Sequence, residues 1–319
     1  MFTAAGRPAA LKHAQATARI LLDRSSIRDP TGRITQTCQR SCRRHRSSHA
    51  RDSLQSRAGR KLLTSVFESA GLSVREQNYE YDDQRVTNLL ATVPETVGAT
   101  AYYVVGAHYD TVPSTPGADD NASAVAVMLE LAGRVRQARL QTPVLFAAFT
   151  LEEPPAYLTG HQGSRIFVRS CQSNSDCVFG ALILEMVGYT APRQHYPFLR
   201  RWPGYPRQGN FIGIIGNWRS LRFGRFVLSG FRMNEELPVK SLFLPFDGRI
   251  LPETRMSDHA SFWDAGLPAL MITDTAFFRN PNYHLASDTI DTLDFTFMTE
   301  LVKSLELALM QLPFPATKS

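Results

Sequence analysis

From residue 61 onward, two hydrophobic periods alternate along the chain. The runs "VTNLLATVP", "AYYVVGAHYD", "PVLFAAFT", "GALILEMVG", "GNFIGIIGN" and "PALMITDT" are short and almost continuously apolar, which predicts strands, most of them buried on both faces. Between them, "KLLTSVFESAGLSV", "NASAVAVMLELAGRVRQA", "GSRIFVRSC", "WRSLRFGRFVLSGF" and "DFTFMTELVKSLELALMQL" repeat their apolar residues at helical spacing. Gly71 closes the first of these helices, and Asn121 or Ser123 is the expected cap of the second. Strands alternating with helices are the mark of an α/β sheet. The Pro- and Arg-rich stretch 190–210 reads as a long surface loop, a feature often functional in compact domains.

Composition adds bounds. A chain of 319 residues with 43% hydrophobic residues can bury a sizeable core, as one large α/β domain or two ordinary ones. No run of about 18 apolar residues occurs, so no membrane span is expected. The N-terminus lacks a compact apolar stretch followed by a small-residue cleavage site, so no standard secretory signal is visible and a cytoplasmic location is the default expectation. The first 22 residues lack acids and include "ALKHAQATARILL", which fits a transit peptide or, more plainly, an amphipathic first helix.

The net charge of +6 is unevenly spread. Residues 1–61 hold 14 Lys and Arg against 3 Asp and Glu, about +11, which leaves about −5 for the remainder. The segment "CQRSCRRHRSSHARDSLQSRAGRK" lacks interleaved aromatics and an apolar period, so it reads as a solvated stretch rather than a nucleic-acid or membrane-surface patch. The expected organisation is therefore a basic, partly disordered segment over 1–60 and a catalytic domain over 61–319. Cys38 and Cys42, and Cys171 and Cys177, fit no common zinc ribbon; the second pair forms a local disulfide or stays as free thiols.

The candidate chemistry lies where the strands end. The run over 102–107 delivers His108 and Asp110, that over 143–150 delivers Glu152 and Glu153, and that over 181–184 delivers Glu185. The run over 269–273 leads to Asp274 and, through "AFFRNPNY", to His284. In an open α/β sheet, ligands bind outside the carboxyl ends of the strands. Singly, each residue has a plain structural role: a hydrogen-bonded histidine, an acid at a helix start, a solvated pair of glutamates. Acids gathered at successive strand ends repel unless a cation holds them. With imidazoles among them, and no Lys or Arg at 108–120, 152–153 or 284, the set suits Zn²⁺ or a similar divalent metal.

The segments "GAHYDTVPSTPGADDNASAVAVMLELA", "LEEPP…GSR", "LEMVGY", "SDHASFWDAGLPALMITDT" and "NYHLASDTIDTLDF" together resemble the di-zinc aminopeptidase family of zinc exopeptidases, whose relatives include glutamate carboxypeptidases, the transferrin receptor and glutaminyl cyclases. The resemblance covers roughly 60–312 and implies a mixed, mostly parallel central sheet with helices on both faces. It also implies two zinc ions per chain, with His108 on one, His284 and Glu153 on the other, and Asp120 bridging. Glu185 stands where the family more often has Asp. Glu152 is the implied general base, Asp110 orients the His108 imidazole from behind, and the Asp120–Asn121 peptide is expected to be cis. The implied reaction is hydrolysis of an N-terminal peptide bond by a zinc-activated water, with a peptide as the substrate and Phe277, Phe278 and Tyr283 as candidate pocket residues. Two other readings carry different residue demands. A glutaminyl-cyclase-like acyltransferase needs one zinc on Asp120, Glu153 and His284, with Glu152 shuttling protons. A non-catalytic binding protein of the same fold is expected to have lost ligands, and this chain retains nearly all of them.

Overall fold

Strands that are apolar on both sides form the middle of the sheet. The computed structural model describes residues 57–174, 176–196 and 205–314. Most of the basic segment, Cys38, Cys42 and the centre of the 190–210 stretch lie outside the described residues. The helices are α1 (Arg57–Ser69), α2 (Ala124–Ala138), α3 (Gly163–Ser173), α4 (Leu221–Phe231), α5 (His259–Asp264) and α6 (Phe295–Gln311). The strands are β1 (Ser73–Tyr81), β2 (Gln84–Thr92), β3 (Ala101–His108), β4 (Val144–Phe149), β5 (Cys177–Glu185), β6 (Ile212–Asn217), β7 (Val239–Leu244) and β8 (Ala269–Thr273).

They form one sheet in the order β1-β2-β4-β3-β5-β8-β6-β7. The four central strands, β4, β3, β5 and β8, are parallel to one another. Antiparallel pairings occur on both flanks, at β1–β2, β2–β4 and β6–β8. The mixed sheet implied by the family resemblance is thus present, its parallel part confined mainly to the centre.

The two-residue period of the strands divides the core. Tyr103, Val105, Phe146, Leu182 and Leu184 face α1, α2, α4 and α6, while Val104, Leu145, Phe149 and Ile183 face α3 and α5. α1 ends as its sequence predicts, with Gly71 at φ +84° and the Leu72 N–H returning to the Phe67 carbonyl. α6 is capped by Asp294, whose carboxylate accepts from the Phe297 N–H at 3.0 Å. α2 begins at Ala124 with Ser123, one of the two expected residues, at the N-cap position; its hydroxyl donates to the Asp119 carbonyl rather than capping the helix, and Asp120 and Asn121 have non-helical dihedrals.

β1, β7 and α5 are elements that the hydrophobic pattern does not announce. β1 and β7 are edge strands: β1 is largely polar and at least half exposed, β7 is a short "VKSLFL" whose exposed Lys240 and Ser241 interrupt its apolar residues, and α5 has only six residues. Cys171 and Cys177 are free thiols. Among the described residues, no helix is long and apolar enough to cross a membrane.

This topology positions the site. α2 follows β3 and packs on one face, whereas α3 follows β4 and packs on the other before the chain returns to β5 beyond β3. Helices leaving adjacent parallel strands in opposite directions open a crevice at their carboxyl ends. His108, the last residue of β3, stands in it.

Candidate active site

His108, Glu152, Glu153, Glu185 and His284 arrive at this crevice, whereas Asp274, also predicted at a strand end, instead accepts the backbone N–H groups of Tyr189 and Ala276. Glu152 and Glu153 follow β4, Glu185 ends β5, and His284 lies on the loop after β8. Asp120 comes from the turn between β3 and α2, where the Asp120–Asn121 peptide is cis as the resemblance implies. Gly163 allows α3 to start close to this end of the sheet. A Cβ at this position would collide with the Asn88 side chain and the Thr150 backbone.

Asp120 turns one oxygen to each imidazole. Its Oδ1 lies 3.5 Å from His108 Nε2, and its Oδ2 lies 3.2 Å from His284 Nε2. Glu185 Oε1 is 3.4 Å from His108 Nε2, and Glu153 Oε2 is 3.3 Å from His284 Nε2. Two donor groups result, His108–Asp120–Glu185 and Asp120–Glu153–His284, sharing one carboxylate. Glu152 approaches the first, 3.9 Å from His108 Nε2. His108 and the four carboxylates are buried, and the His284 side chain is 30% exposed at the crevice mouth.

Asp110 does more than stand behind His108. Its carboxylate accepts the Glu152 N–H at 3.2 Å and the Glu153 N–H at 3.0 Å, fixing the turn that aims both glutamates. The His108 Nδ1 lies nearer the main-chain carbonyl of Asp110, at 3.1 Å, than its carboxylate, at 3.7 Å. An Nδ1–H donated to that carbonyl leaves Nε2 free to face the cluster. Ser257 was not singled out from the sequence, yet its hydroxyl donates to Glu185 Oε2 at 2.6 Å. It holds the outer oxygen of the longer carboxylate and leaves Oε1 toward His108.

The electrostatics describe a cluster short of positive charge. Burial pushes the Glu152 carboxyl well above its ordinary value, and Glu185, Asp258 and Glu153 add to the rise. Burial and the Asp120 charge raise Glu153 to about 7. Burial would depress His284, but Asp120 and Glu153 lift it to about 10. Burial would raise Asp120, and the two imidazoles outweigh it, holding Asp120 at about 2. Among the described residues, no Lys or Arg forms an ion pair with any of these carboxylates. Glu153 Oε1 and His284 Nε2 are buried without a hydrogen-bond partner. Unpaired buried donors and acceptors, in a set of imidazole nitrogens and carboxylate oxygens, fit a divalent metal of the zinc type.

The predicted pocket residues stay together, the Tyr283 ring packing against Phe277 at 5.5 Å, but they do not share one wall. Phe277 and Phe278 line a cavity that touches Glu185 and is walled by Tyr205, Phe211, Ile215 and Met271. Tyr283 is not on that wall; its ring stacks on His284 at 3.8 Å. Burial, followed by the charges of Asp120, Glu185, Glu153 and Glu152, raises the Tyr283 hydroxyl, which therefore remains a proton donor.

A mixed α/β sheet with such a cluster at the carboxyl ends of its parallel strands has the architecture of the zinc exopeptidases. Residues 88–210 match the model of peptidase family M28. The uncharacterized protein YfbL of Escherichia coli is 35% identical over 253 residues, covering 76% of each chain. A probable leucine aminopeptidase of Arthroderma otae is 27% identical over 230 residues, covering 68% of this chain and 54% of its own. The chain thus spans about half the length of this fungal relative. Among solved structures, the LapA aminopeptidase of Legionella pneumophila aligns with a TM-score of 0.69 at 20% identity, covering 96% of this chain and 76% of that one. The glutaminyl cyclase of Porphyromonas gingivalis aligns with a TM-score of 0.62 at 19% identity, covering 88% and 97%. The chain belongs to peptidase family M28.

Proposed function

We propose that this protein is a metal-dependent aminopeptidase, with residues 61–319 as its catalytic domain. The observation that carries the reading is the sharing of Asp120 between two imidazole–carboxylate groups beside an apolar cavity. His108, Asp120 and Glu185 would hold one zinc ion, and Asp120, Glu153 and His284 the other. Zinc supplies Lewis acidity, easing the deprotonation of water and polarising a carbonyl.

The remaining chemistry belongs to the chain. Glu152 is outside both groups that share Asp120, and its raised pKa suits a carboxylate that receives a proton from the attacking water and delivers it to the leaving amine. The Tyr283 hydroxyl, beside His284, can donate to the oxyanion that forms as the carbonyl is attacked. Asp110 keeps Glu152 and Glu153 aimed by binding their backbone N–H groups.

The cavity beside Glu185 would take the side chain of the substrate's first residue. Its walls are mainly aromatic and aliphatic, so N-terminal Phe, Leu or Met substrates should exceed Asp or Gly substrates in kcat/KM by about tenfold or more. A panel of aminoacyl-anilides measures that ratio. The same panel tests the activity itself: turnover that disappears when the amine is acetylated supports an aminopeptidase. Failure on all anilides, with cyclisation of N-terminal glutamine peptides, would replace it by the single-zinc cyclase reading. Failure on both would favour a binding protein.

A pH dependence follows. Metal ligands must be deprotonated, and without metal Glu153 titrates at about 7 and His284 at about 10. Protons therefore compete more strongly as pH falls. Zinc affinity should drop between pH 8 and pH 6, and binding at pH 7 should release at least about one proton. Calorimetry in buffers of different ionisation enthalpy reads that release; a pH-independent affinity would contradict it.

A further inference from the structure

Behind the shared carboxylate lies a second acid that touches neither imidazole. Asp288 is 1% exposed, and its side chain is enclosed by the turn that carries Asp120. Its Oδ1 accepts the Asp119 N–H at 3.0 Å, and its Oδ2 accepts the Asp119 and Asp120 N–H groups at 3.2 and 3.1 Å. Its main-chain carbonyl accepts the Ala118 N–H at 3.2 Å. Three successive backbone donors, up to and including that of Asp120, thus converge on one residue. An anion cradled by consecutive N–H groups fixes the conformation of the turn that supplies them.

Asp288 is also tied to the other side of the site. It lies four residues after His284, and the intervening chain is held by the Asp288 N–H to the Leu285 carbonyl at 3.0 Å and the Leu285 N–H to the Asn282 carbonyl at 2.9 Å. Asn280, earlier on the same loop, donates to Asp119 Oδ2 at 2.7 Å. The loop bearing His284 therefore grips the turn bearing Asp120 at two points.

We infer that Asp288 is a positioning residue that sets Asp120 and His284 at the separation a shared metal site requires, by holding the backbone of the Asp120 turn against the His284 loop. The inference rests on the metal-site reading above. Asp288 acts on the metal only through the placement of these two side chains. Ordinary buried salt bridging does not explain it, because its partners are backbone N–H groups of the turn itself.

The test is zinc affinity, measured by competition with a chromophoric chelator, for wild type, Asp288→Asn and Asp288→Ala. Asn keeps the volume but sets an amide donor against backbone donors, so Asp288→Asn should bind zinc about 10- to 100-fold more weakly. Its zinc-free unfolding midpoint should stay within a few degrees of wild type, and Asp288→Ala should bind at least as weakly as Asp288→Asn. At saturating zinc, the kcat of Asp288→Asn should return to within a few-fold of wild type. An affinity within about twofold of wild type overturns the inference while leaving the metal site standing. So does a kcat that stays low at full zinc occupancy. A wild-type protein that binds no zinc overturns the metal-site reading and this inference together.

Discussion

Glu152→Gln should retain its zinc and lose about 10²- to 10⁴-fold in kcat, the range expected when a general base is removed. Gln has the same size, and the backbone N–H of residue 152 still has Asp110 Oδ1 as its acceptor, so the turn should not move. What disappears is the capacity to accept a proton. Glu152 approaches His108 only at 3.9 Å, farther than Asp120 or Glu185, and so metal content should persist. If instead the variant loses metal, Glu152 is a ligand and the grouping of His108 with Glu152 and Glu153 becomes the relevant one. If it keeps both metal and kcat, the base is another residue. Since kcat and kcat/KM should fall together, with KM nearly unchanged, steady-state kinetics on one anilide substrate decides among these outcomes.

Asp120→Ala should have the largest effect on metal itself. Among the described residues, Asp120 is the carboxylate with oxygens within 3.5 Å of both imidazoles, so its loss should empty both positions, whereas His284→Ala should empty one. The fall in affinity should exceed the about 10- to 100-fold expected for a residue that merely supports a ligand. Activity should vanish with the metal and should not return on adding zinc at moderate excess. Metal analysis after gel filtration in dilute zinc makes the comparison. Equal stoichiometry in wild type and Asp120→Ala would show that no site is shared.

The hydrophobic pattern revealed the central strands because residues such as Val104 and Val105 face opposite cores and must both be apolar. It hid β1, whose "SVREQNYEY" pairs along one edge only and keeps water on its side chains, and β7, where Lys240 and Ser241 break a short apolar run. The cluster was legible for a related reason. Parallel central strands deliver their carboxyl ends to one side, so acids at successive run ends, from His108 to Glu185, had to meet if the sheet was parallel there. Asp120 and His284 lie on turns beyond the apolar runs, so the strand ends made them candidates, but their roles as bridging carboxylate and ligand rested on the family resemblance.

Less legible were the groups that act through backbone or through other side chains. Asp288 appears in the sequence as one more loop acid in "NYHLASDTIDTLDF", since nothing local indicates that its partners are N–H groups about 170 residues away. Ser257 similarly gains meaning only when α5 is seen against β5. Tyr283 is a pocket candidate in the sequence with Phe277 and Phe278, on the same stretch "TAFFRNPNYH". Its ring stacks on His284, a residue with left-handed backbone at φ 58°.

The most direct test of the account is the zinc content of the purified chain after reconstitution and removal of weakly bound metal. The account predicts two zinc ions per chain in wild type and in Glu152→Gln, with anilide hydrolysis in wild type alone. A chain that holds no zinc, or hydrolyses N-terminal peptide bonds equally well after the metal is stripped, would contradict it.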